Sequence, residues 1–150
     1  MLEVGARAPD FTATTDTGEQ ISLSSLRGKK VVLYFYPRDN TPGCTQEACD
    51  FRDREEALAA KGAVVLGVST DSAASHEKFK AKHALPFTLL ADPEKELVSA
   101  YGVYQEKKQY GRSFMGVVRT TFVIDADGVI ANVFEKVKVK GHADAVLDSL

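Results

Sequence analysis

Apolar residues occur along the chain in short runs, and most of these runs have the length and composition of buried β-strands. Lys30 to Tyr36 reads KVVLYFY, an unbroken apolar run with β-branched and aromatic side chains. The predicted strands are Lys30 to Tyr36, Ala63 to Ser69, Phe87 to Leu90, Val117 to Ile124 and Val129 to Val133. Before them, the alternating stretch from Phe11 to Leu23 turns at Thr17-Gly18 and predicts a short hairpin.

In the segments between these strands, apolar residues recur at helical spacing, which predicts helices. The first helix is expected to begin at Thr41 as N-cap, with Pro42 at its first position, and to end near Ala60 before Gly62. Proline pushes the residue before it towards extended geometry, which an N-cap requires. Further helices are predicted from Ser72 to His83, from Pro93 to Gly102, and from His142 to Leu150.

The order of these elements predicts an α/β fold. A strand–helix–strand unit implies parallel strands and a hairpin implies antiparallel ones, so the central sheet should be mixed. The order is that of a thioredoxin-like fold with an N-terminal hairpin extension and flanking helices. A chain of 150 residues suits one domain, so residues 1–150 are expected to form a single unit.

Charge and composition narrow the classes of partner. Nineteen Lys and Arg face 21 Asp and Glu, a formal net charge of −2, which gives no reason to expect nucleic acid or an anionic membrane. No run of 18 apolar residues predicts a membrane span, and the N-terminus lacks the apolar core of a signal peptide. The expected compartment is the cytoplasm, where lasting disulfides are rare.

The two cysteines of the chain, Cys44 and Cys49, lie close together after a Thr-Pro-Gly sequence. If Thr41 is the N-cap, Cys44 is the third helical residue. Unpaired N–H groups and the positive end of the helix dipole then favour a thiolate, the reactive form of cysteine. Sequence pattern alone leaves open a second interpretation, in which Cys44 fills a contact between helix and sheet.

Arg119 interrupts a strand that otherwise looks buried. A guanidinium in such a place needs an anionic partner, and Glu47 or a cysteine thiolate could supply one. The alternative is that Arg119 lies at the end of the strand and reaches water.

Three other interpretations of the chain are a zinc site, a disulfide oxidoreductase and a binding module without chemistry. Zinc could be bound by both cysteines with two of His76, His83 and His142, but these histidines show no matching spacing and are expected at the surface or at helix caps. A thioredoxin-like disulfide oxidoreductase would carry C-x-x-C, whereas this chain has C-x-x-x-x-C. A thioredoxin-like binding module without chemistry would have no need for the combination of Pro37, Thr41, Cys44 and Arg119.

The sequence resembles the peroxiredoxins. Pro37-x-x-x-Thr41-x-x-Cys44 matches the family motif P-x-x-x-[T/S]-x-x-C, and YPRDNTPGCTQEACDFRD resembles the PrxQ class, also called bacterioferritin comigratory protein. The similarity covers nearly the whole chain, including residues 5–37, 67–92 and 119–130.

This resemblance implies a thiol-dependent peroxidase without metal or organic cofactor. Cys44 would be the peroxidatic cysteine, and Thr41 would hydrogen-bond the peroxide and the sulfur. Pro37 would limit solvent access, and Arg119 would stabilise the thiolate and the developing charge. Cys49 would be the resolving cysteine and form an intramolecular disulfide, which thioredoxin or a similar dithiol would reduce. Glu47 and Tyr36 are possible supporting groups. Intramolecular resolution requires no partner subunit, so a monomer is expected.

Helix geometry adds one expectation about the cysteine pair. Residues five apart on an α-helix have Cα atoms about 8.6 Å apart, whereas a disulfide rarely tolerates more than about 7 Å. The reduced protein should therefore hold two separate thiols on a helix from Thr41, and oxidation should unwind the segment between them.

Overall fold

The computed structural model describes residues 2–150, so Met1, the first residue of the expected domain, lies outside the described residues. Within them, nine strands form. In chain order these are β1 (Thr12–Thr15), β2 (Gln20–Ser22), β3 (Lys30–Phe35), β4 (Ala63–Ser69), β5 (Thr88–Ala91), β6 (Tyr104–Gln109), β7 (Arg112–Val117), β8 (Thr120–Ile124) and β9 (Ile130–Phe134). Strands β6 and β7 form a separate two-stranded ribbon, and the other seven form one sheet.

The seven-stranded sheet is mixed, as the element order predicts. Its strand order is β2-β1-β5-β4-β3-β8-β9. The central pairs β3–β4 and β4–β5 are parallel, and the pairs towards both edges are antiparallel. On β3, Leu33 lies opposite Leu66 of β4 and Phe122 of β8. The N-terminal hairpin is confirmed as β1 and β2, and it joins the sheet through β5.

Both faces of β3 are buried, which explains its unbroken apolar sequence. Val31, Leu33 and Phe35 face one half of the core, and Val32 and Tyr34 face the other. The helices are α1 (Pro42–Asp53), α2 (Glu55–Ala60), α3 (Ala73–His83), α4 (Glu96–Ala100) and α5 (His142–Asp148), with a 3₁₀ helix at Leu23–Leu26. Across residues 2–150, every helix is too short or too polar to span a lipid bilayer.

Helix α1 begins directly beyond the carboxyl end of β3. Thr41 has the extended backbone of an N-cap (φ −88°, ψ 151°), and Pro42 occupies the first turn, as predicted. The Thr41 hydroxyl does not cap the helix but donates a hydrogen bond to the carbonyl of Arg38 at 3.0 Å. The first turn of α1 therefore starts at the sheet edge where α/β folds place their sites, with the Thr41 side chain tied to the preceding loop.

The predicted first helix, Thr41 to Ala60, is in fact two helices. The break falls at Arg54, whose guanidinium donates to the carbonyl of Asp50 at 2.9 Å and so satisfies a group at the end of α1. The same side chain binds both carboxylate oxygens of Asp144 on α5, at 2.6 and 3.1 Å. A contact distant in sequence thus ends the helix, and apolar spacing does not reveal it.

Three further features differ from the sequence prediction. The sequence pattern does not predict the ribbon β6–β7. The predicted helix from Pro93 begins only at Glu96, after Lys95 adopts a left-handed backbone with φ 62°. The predicted strand Val117 to Ile124 is divided, because β7 ends at Val117 and β8 begins at Thr120. Arg119 therefore lies just before a buried strand and not inside it.

Candidate active site

Both cysteines lie on the unbroken helix α1 and both are free thiols, as expected for a reduced helix. Cys44 is in the first turn and 1% exposed, whereas Cys49 is partly exposed one turn further on. Cys44 belongs to the apolar cluster that contains Tyr34, Tyr36 and Ala48. The sulfur of Cys44 thus lies under the protein surface, at the end of the helix where backbone N–H groups point outwards.

The guanidinium of Arg119 joins two acidic side chains of α1. Its Nη2 lies 3.3 Å from the sulfur of Cys44, and its Nη1 donates to Oε1 of Glu47 at 2.6 Å. Burial works to lower the pKa of Arg119, but the neighbouring charges of Glu47 and Cys44 outweigh this effect and raise it. Both anionic partners considered from the sequence are therefore present, and the side chain keeps 16% of its surface exposed.

Glu47 is a buried carboxylic acid with one unpartnered oxygen. Its side chain is 1% exposed, and within residues 2–150 its Oε2 has no hydrogen-bond partner. Burial raises the pKa of Glu47 to about 7, although the charge of Arg119 and its hydrogen bond act in the opposite direction. Glu47 therefore lies in surroundings that disfavour the charged carboxylate, because burial removes water from it.

His142, the first residue of α5, faces the same carboxyl group. Its Nε2 lies 2.8 Å from Oγ1 of Thr121 and 3.9 Å from Oε2 of Glu47. Burial, assisted by the positive charge of Arg119, lowers the pKa of His142 to about 4. The expectation that the histidines lie at the surface or at caps is wrong here, and it is also wrong for His76, which is fully buried.

Pro37 and Thr41 line a groove between the β3–α1 loop and the ribbon β6–β7. The groove has a volume of about 370 Å³, and its other wall includes Lys107, Phe114 and Met115 of the ribbon. The ammonium of Lys107 donates to the carbonyl of Val117 at 2.9 Å, which turns it towards the base of the ribbon. Two of the predicted site residues thus flank a solvent-accessible approach beside the helix that holds Cys44.

Gly43 keeps space open between α1 and Arg119. A Cβ atom at Gly43 would lie 3.2 Å from Nη2 of Arg119, the nitrogen that contacts the Cys44 sulfur. This separation is tighter than ordinary van der Waals contact, so a side chain there would push the guanidinium away from its present position.

A second buried polar cluster fixes the loop that precedes α1. The Asp39 carboxylate accepts hydrogen bonds from Tyr36 at 2.6 Å and Ser75 at 2.8 Å, and contacts Nδ1 of His76 at 2.7 Å. Asp71 accepts from the Asp39 backbone N–H at 2.8 Å. Tyr36, a possible supporting group in the sequence interpretation, therefore holds the loop and does not bond the sulfur.

The zinc hypothesis finds no matching cluster. Within residues 2–150, the group of acidic and histidine side chains close enough to share an ion consists of Asp39, Asp71 and His76, and neither cysteine belongs to it. Their polar atoms are already occupied by hydrogen bonds to one another and to Ser69, Ser75 and the carbonyl of Leu90.

The five residues predicted for the site are brought to one edge of the sheet, with different degrees of contact. Cys44 and Arg119 touch, Thr41 and Pro37 line the groove, and Cys49 lies on the same helix without contacting the sulfur of Cys44. A thiol beside a fixed cation at a helix N-terminus suits nucleophilic chemistry. The sequence indicates Glu47 only as a possible supporting group. It does not indicate that His142 lies beside Glu47, because contacts between elements distant in the chain leave no local pattern.

Comparison with known proteins agrees with this chemistry. Residues 4–133 match the model of the AhpC/TSA family. The chain is 53% identical to the putative peroxiredoxin bcp of Coxiella burnetii and 50% identical to peroxiredoxin Bcp of Bacillus subtilis. These alignments cover 99% of this chain and 99% and 95% of the two relatives.

Solved structures confirm the predicted thioredoxin-like fold. The bacterioferritin comigratory protein of Xanthomonas campestris superimposes with a TM-score of 0.92 at 38% identity, covering 98% of this chain and 96% of that one. A cysteine-to-serine mutant of Xylella fastidiosa PrxQ gives a TM-score of 0.94 at 34% identity, covering 99% and 94%. The chain therefore belongs to the AhpC/TSA family as a peroxiredoxin of the Bcp/PrxQ type, a thiol peroxidase.

Proposed function

We propose that Cys44 is the nucleophile of this peroxidase and that Arg119 activates it. The observation that carries the proposal is the 3.3 Å contact between Nη2 of Arg119 and the Cys44 sulfur, at the N-terminal turn of α1. A fixed guanidinium and the helix dipole both favour the thiolate. The same guanidinium is available to the peroxide oxygen on which negative charge develops.

In the first step, the Cys44 thiolate attacks one peroxide oxygen. A sulfur lone pair forms the S–O bond, the O–O bond breaks, and the departing oxygen keeps the bonding pair and takes a proton. The products are a sulfenic acid and water or an alcohol. We assign to Thr41 a hydrogen bond with the peroxide and to Pro37 the restriction of water, since both line the groove beside the helix that holds Cys44.

In the second step, Cys49 attacks the sulfenic acid and forms an intramolecular disulfide with loss of water. Both cysteines lie on one helix, where residues five apart have Cα atoms about 8.6 Å apart. That distance exceeds the usual disulfide limit of about 7 Å, so the start of α1 unwinds during each cycle. Thioredoxin, or another dithiol, then reduces the exposed disulfide by exchange.

Hydrogen peroxide and organic hydroperoxides are the proposed substrates. The Xanthomonas campestris protein is described as having alkyl peroxide reduction activity, and the groove beside Pro37 carries the apolar side chains Phe114 and Met115. The protein acts as an antioxidant enzyme without cofactor, as a monomer, in the reducing environment of the cytoplasm, where a dithiol donor is supplied.

A peroxide-dependent turnover assay with thioredoxin and thioredoxin reductase tests this function. Cys44→Ser removes the nucleophile and is expected to abolish turnover. Cys49→Ser is expected to react with one equivalent of peroxide and then stop, because no thiol resolves the sulfenic acid. If Cys49→Ser abolishes the first reaction and Cys44→Ser does not, the two roles are reversed. A sedimentation mass of 16.3 kDa for the reduced protein tests the monomer.

A further inference from the structure

Arg119 lies between two groups that can each carry a negative charge, Cys44 and Glu47, and all three lie largely out of water. The titratable and charged groups that face Glu47 come from every surrounding element. They are Cys44 and Asp50 on α1, Tyr34 on β3, Arg119 before β8 and His142 on α5. In this set, Arg119 is the permanent cation.

The single positive charge of Arg119, which is partly buried, can balance one buried anion. With both Cys44 and Glu47 ionised, the site would hold a net negative charge next to the unpartnered hydroxyl of Tyr34 and the unpartnered Oε2 of Glu47. An uncompensated charge in such surroundings is costly, so ionisation of one acid disfavours ionisation of the other. The contact of Arg119 with both groups makes this competition direct.

We propose that Arg119 exchanges its anionic partner during the reaction, so that Glu47 carries a proton while Cys44 is a thiolate and releases it when Cys44 becomes a sulfenic acid. This inference rests on the proposed roles of Cys44 and Arg119. Before the step, the guanidinium is balanced by the sulfur; after the step, it is balanced by the Glu47 carboxylate, to which Nη1 already donates at 2.6 Å.

The step balances in atoms and charge. The thiolate, the hydroperoxide and protonated Glu47 become the sulfenic acid, the alcohol and the Glu47 carboxylate. The departing oxygen gains one proton and Glu47 loses one, so the net proton uptake from solvent approaches zero. Without a titrating acid at position 47, the same oxidation must take one proton from solvent.

The other neighbours of Glu47 do not serve as this proton store. Burial and Arg119 hold the pKa of His142 at about 4, so the imidazole is neutral near neutral pH and has no extra proton to give. Burial, with the nearby charges of Glu47 and Cys44, raises the pKa of Tyr34 well above its ordinary value, so its hydroxyl stays protonated throughout. Glu47, whose pKa burial raises to about 7, combines position and a suitable proton affinity.

The test measures protons taken up per sulfenic acid formed. Reduced Cys49→Ser protein, which retains the sulfenic acid, is mixed with one equivalent of hydrogen peroxide in weak buffer with a pH-indicator dye. The pH is chosen so that thiolate absorbance shows Cys44 ionised in every variant. With Glu47 present, uptake is expected to be well below one proton; in the Glu47→Gln background it should be one.

Two further variants distinguish a role of Glu47 in holding the proton from a role in supporting the structure. Glu47→Asp has a worse fit than Gln but keeps a titrating acid, so it should bring uptake below one again. Glu56→Gln, an exposed position on α2, should leave uptake as in the Cys49→Ser protein. Equal uptake with Glu47 and with Gln at position 47 would overturn the inference. Absence of sulfenic acid at Cys44 by mass spectrometry would instead refute the proposed function.

Discussion

At the residue scale, the side chain that organises the site is Arg119. The sequence indicates that this cation needs a partner, and the structure supplies two, Cys44 and Glu47. The guanidinium can reach both because its two Nη atoms point in different directions, a geometry that lysine lacks. Its place just before β8 also explains how a charged residue fits beside a buried strand, since part of the side chain still reaches water.

Arg119→Ala is therefore expected to slow the reaction with peroxide by about 10²–10³-fold, the usual effect of losing a donor at an oxyanion site. The variant should also hold a smaller thiolate fraction at neutral pH, because a neighbouring cation is lost. Stopped-flow oxidation and thiolate absorbance measure the two effects. Arg119→Lys, which keeps the charge, should lose less. An unchanged rate and thiolate fraction would remove Arg119 from the site.

Gly43→Ala is expected to raise the stability of the reduced protein and to slow its reaction with peroxide. Alanine favours a helix over glycine by up to about 1 kcal/mol, so the reduced protein should become more stable to urea. The added Cβ would lie 3.2 Å from Nη2 of Arg119 and displace it, so oxidation by peroxide should slow. Thr45→Ala also favours helix but adds no atom near Arg119, and it should keep the wild-type rate. Equal rates for both variants would contradict this reasoning.

At the scale of elements, helix α1 holds both cysteines, and its C-terminal end is firmly tied to neighbouring helices. Arg54 ties that end to Asp144 on α5, and Arg52 donates to the carbonyl of His83 at the end of α3. The first turn has no side-chain cap, because the Thr41 hydroxyl bonds the preceding loop, and its tie to the rest of the fold is the contact of Arg119 with Cys44. Unwinding is therefore expected to start at the first turn and to stop before Arg54.

Amide hydrogen exchange tests this unwinding. The disulfide form should lose protection between Cys44 and Cys49, while residues near Arg54 keep it, and far-UV circular dichroism should report less helix. The Cys49→Ser variant treated with the same oxidant is the control, because it cannot form the disulfide. A Cys44–Cys49 disulfide with helix protection intact at residues 44–49 in both states would exclude the mechanism.

The elements that sequence predicts well are those whose signal is local. The apolar run of β3 and the Thr-Pro pair that begins α1 depend on neighbouring residues, and both are confirmed. The ribbon β6–β7 is largely exposed and polar, so it lacks the apolar pattern that reveals buried strands. Both residues of its turn, Tyr110 and Gly111, have positive φ, as a two-residue hairpin turn of type I′ requires. Only the glycine is a residue type that sequence analysis associates with such a turn.

The site residues divide in the same way. Thr41 and Cys44 are fixed by the local geometry of the helix start, and Pro37 lies in the short loop just before it, so the motif predicts where they lie relative to one another. Glu47 and His142 meet only because α5 packs against α1. That contact joins residues far apart in the chain, and a single sequence contains no sign of it.

At the scale of the whole molecule, two buried groups give opposite pH dependence to folding. Burial raises the pKa of Glu47 from 4.5 to about 7, so its contribution to stability falls as pH rises through that range. Burial lowers the pKa of His142 from 6.5 to about 4, so its contribution to stability is lost as pH falls through that range. The two effects offset each other across much of the acidic range.

Replacing either residue should reveal the pH dependence of stability that the other residue contributes. Relative to wild type, Glu47→Gln should gain stability as pH rises from 4.5 towards 6.5, and His142→Gln should lose it. One titrating group changes the free energy of unfolding by at most about 1.4 kcal/mol per pH unit. Urea unfolding of the reduced proteins at several pH values measures these slopes. Identical slopes in the wild type and both variants would show that neither group titrates differently in the folded state.

The placement of both cysteines on one helix also sets a redox bias. In the proposed cycle, forming the disulfide would break the start of α1, so the free energy of that helical segment would favour the dithiol and make the disulfide a stronger oxidant. For a two-electron couple, about 1.4 kcal/mol of helix stability corresponds to about 30 mV in reduction potential. Reduction would then restore the helical structure lost on oxidation, and the refolding of α1 would help to draw electrons from the donor dithiol.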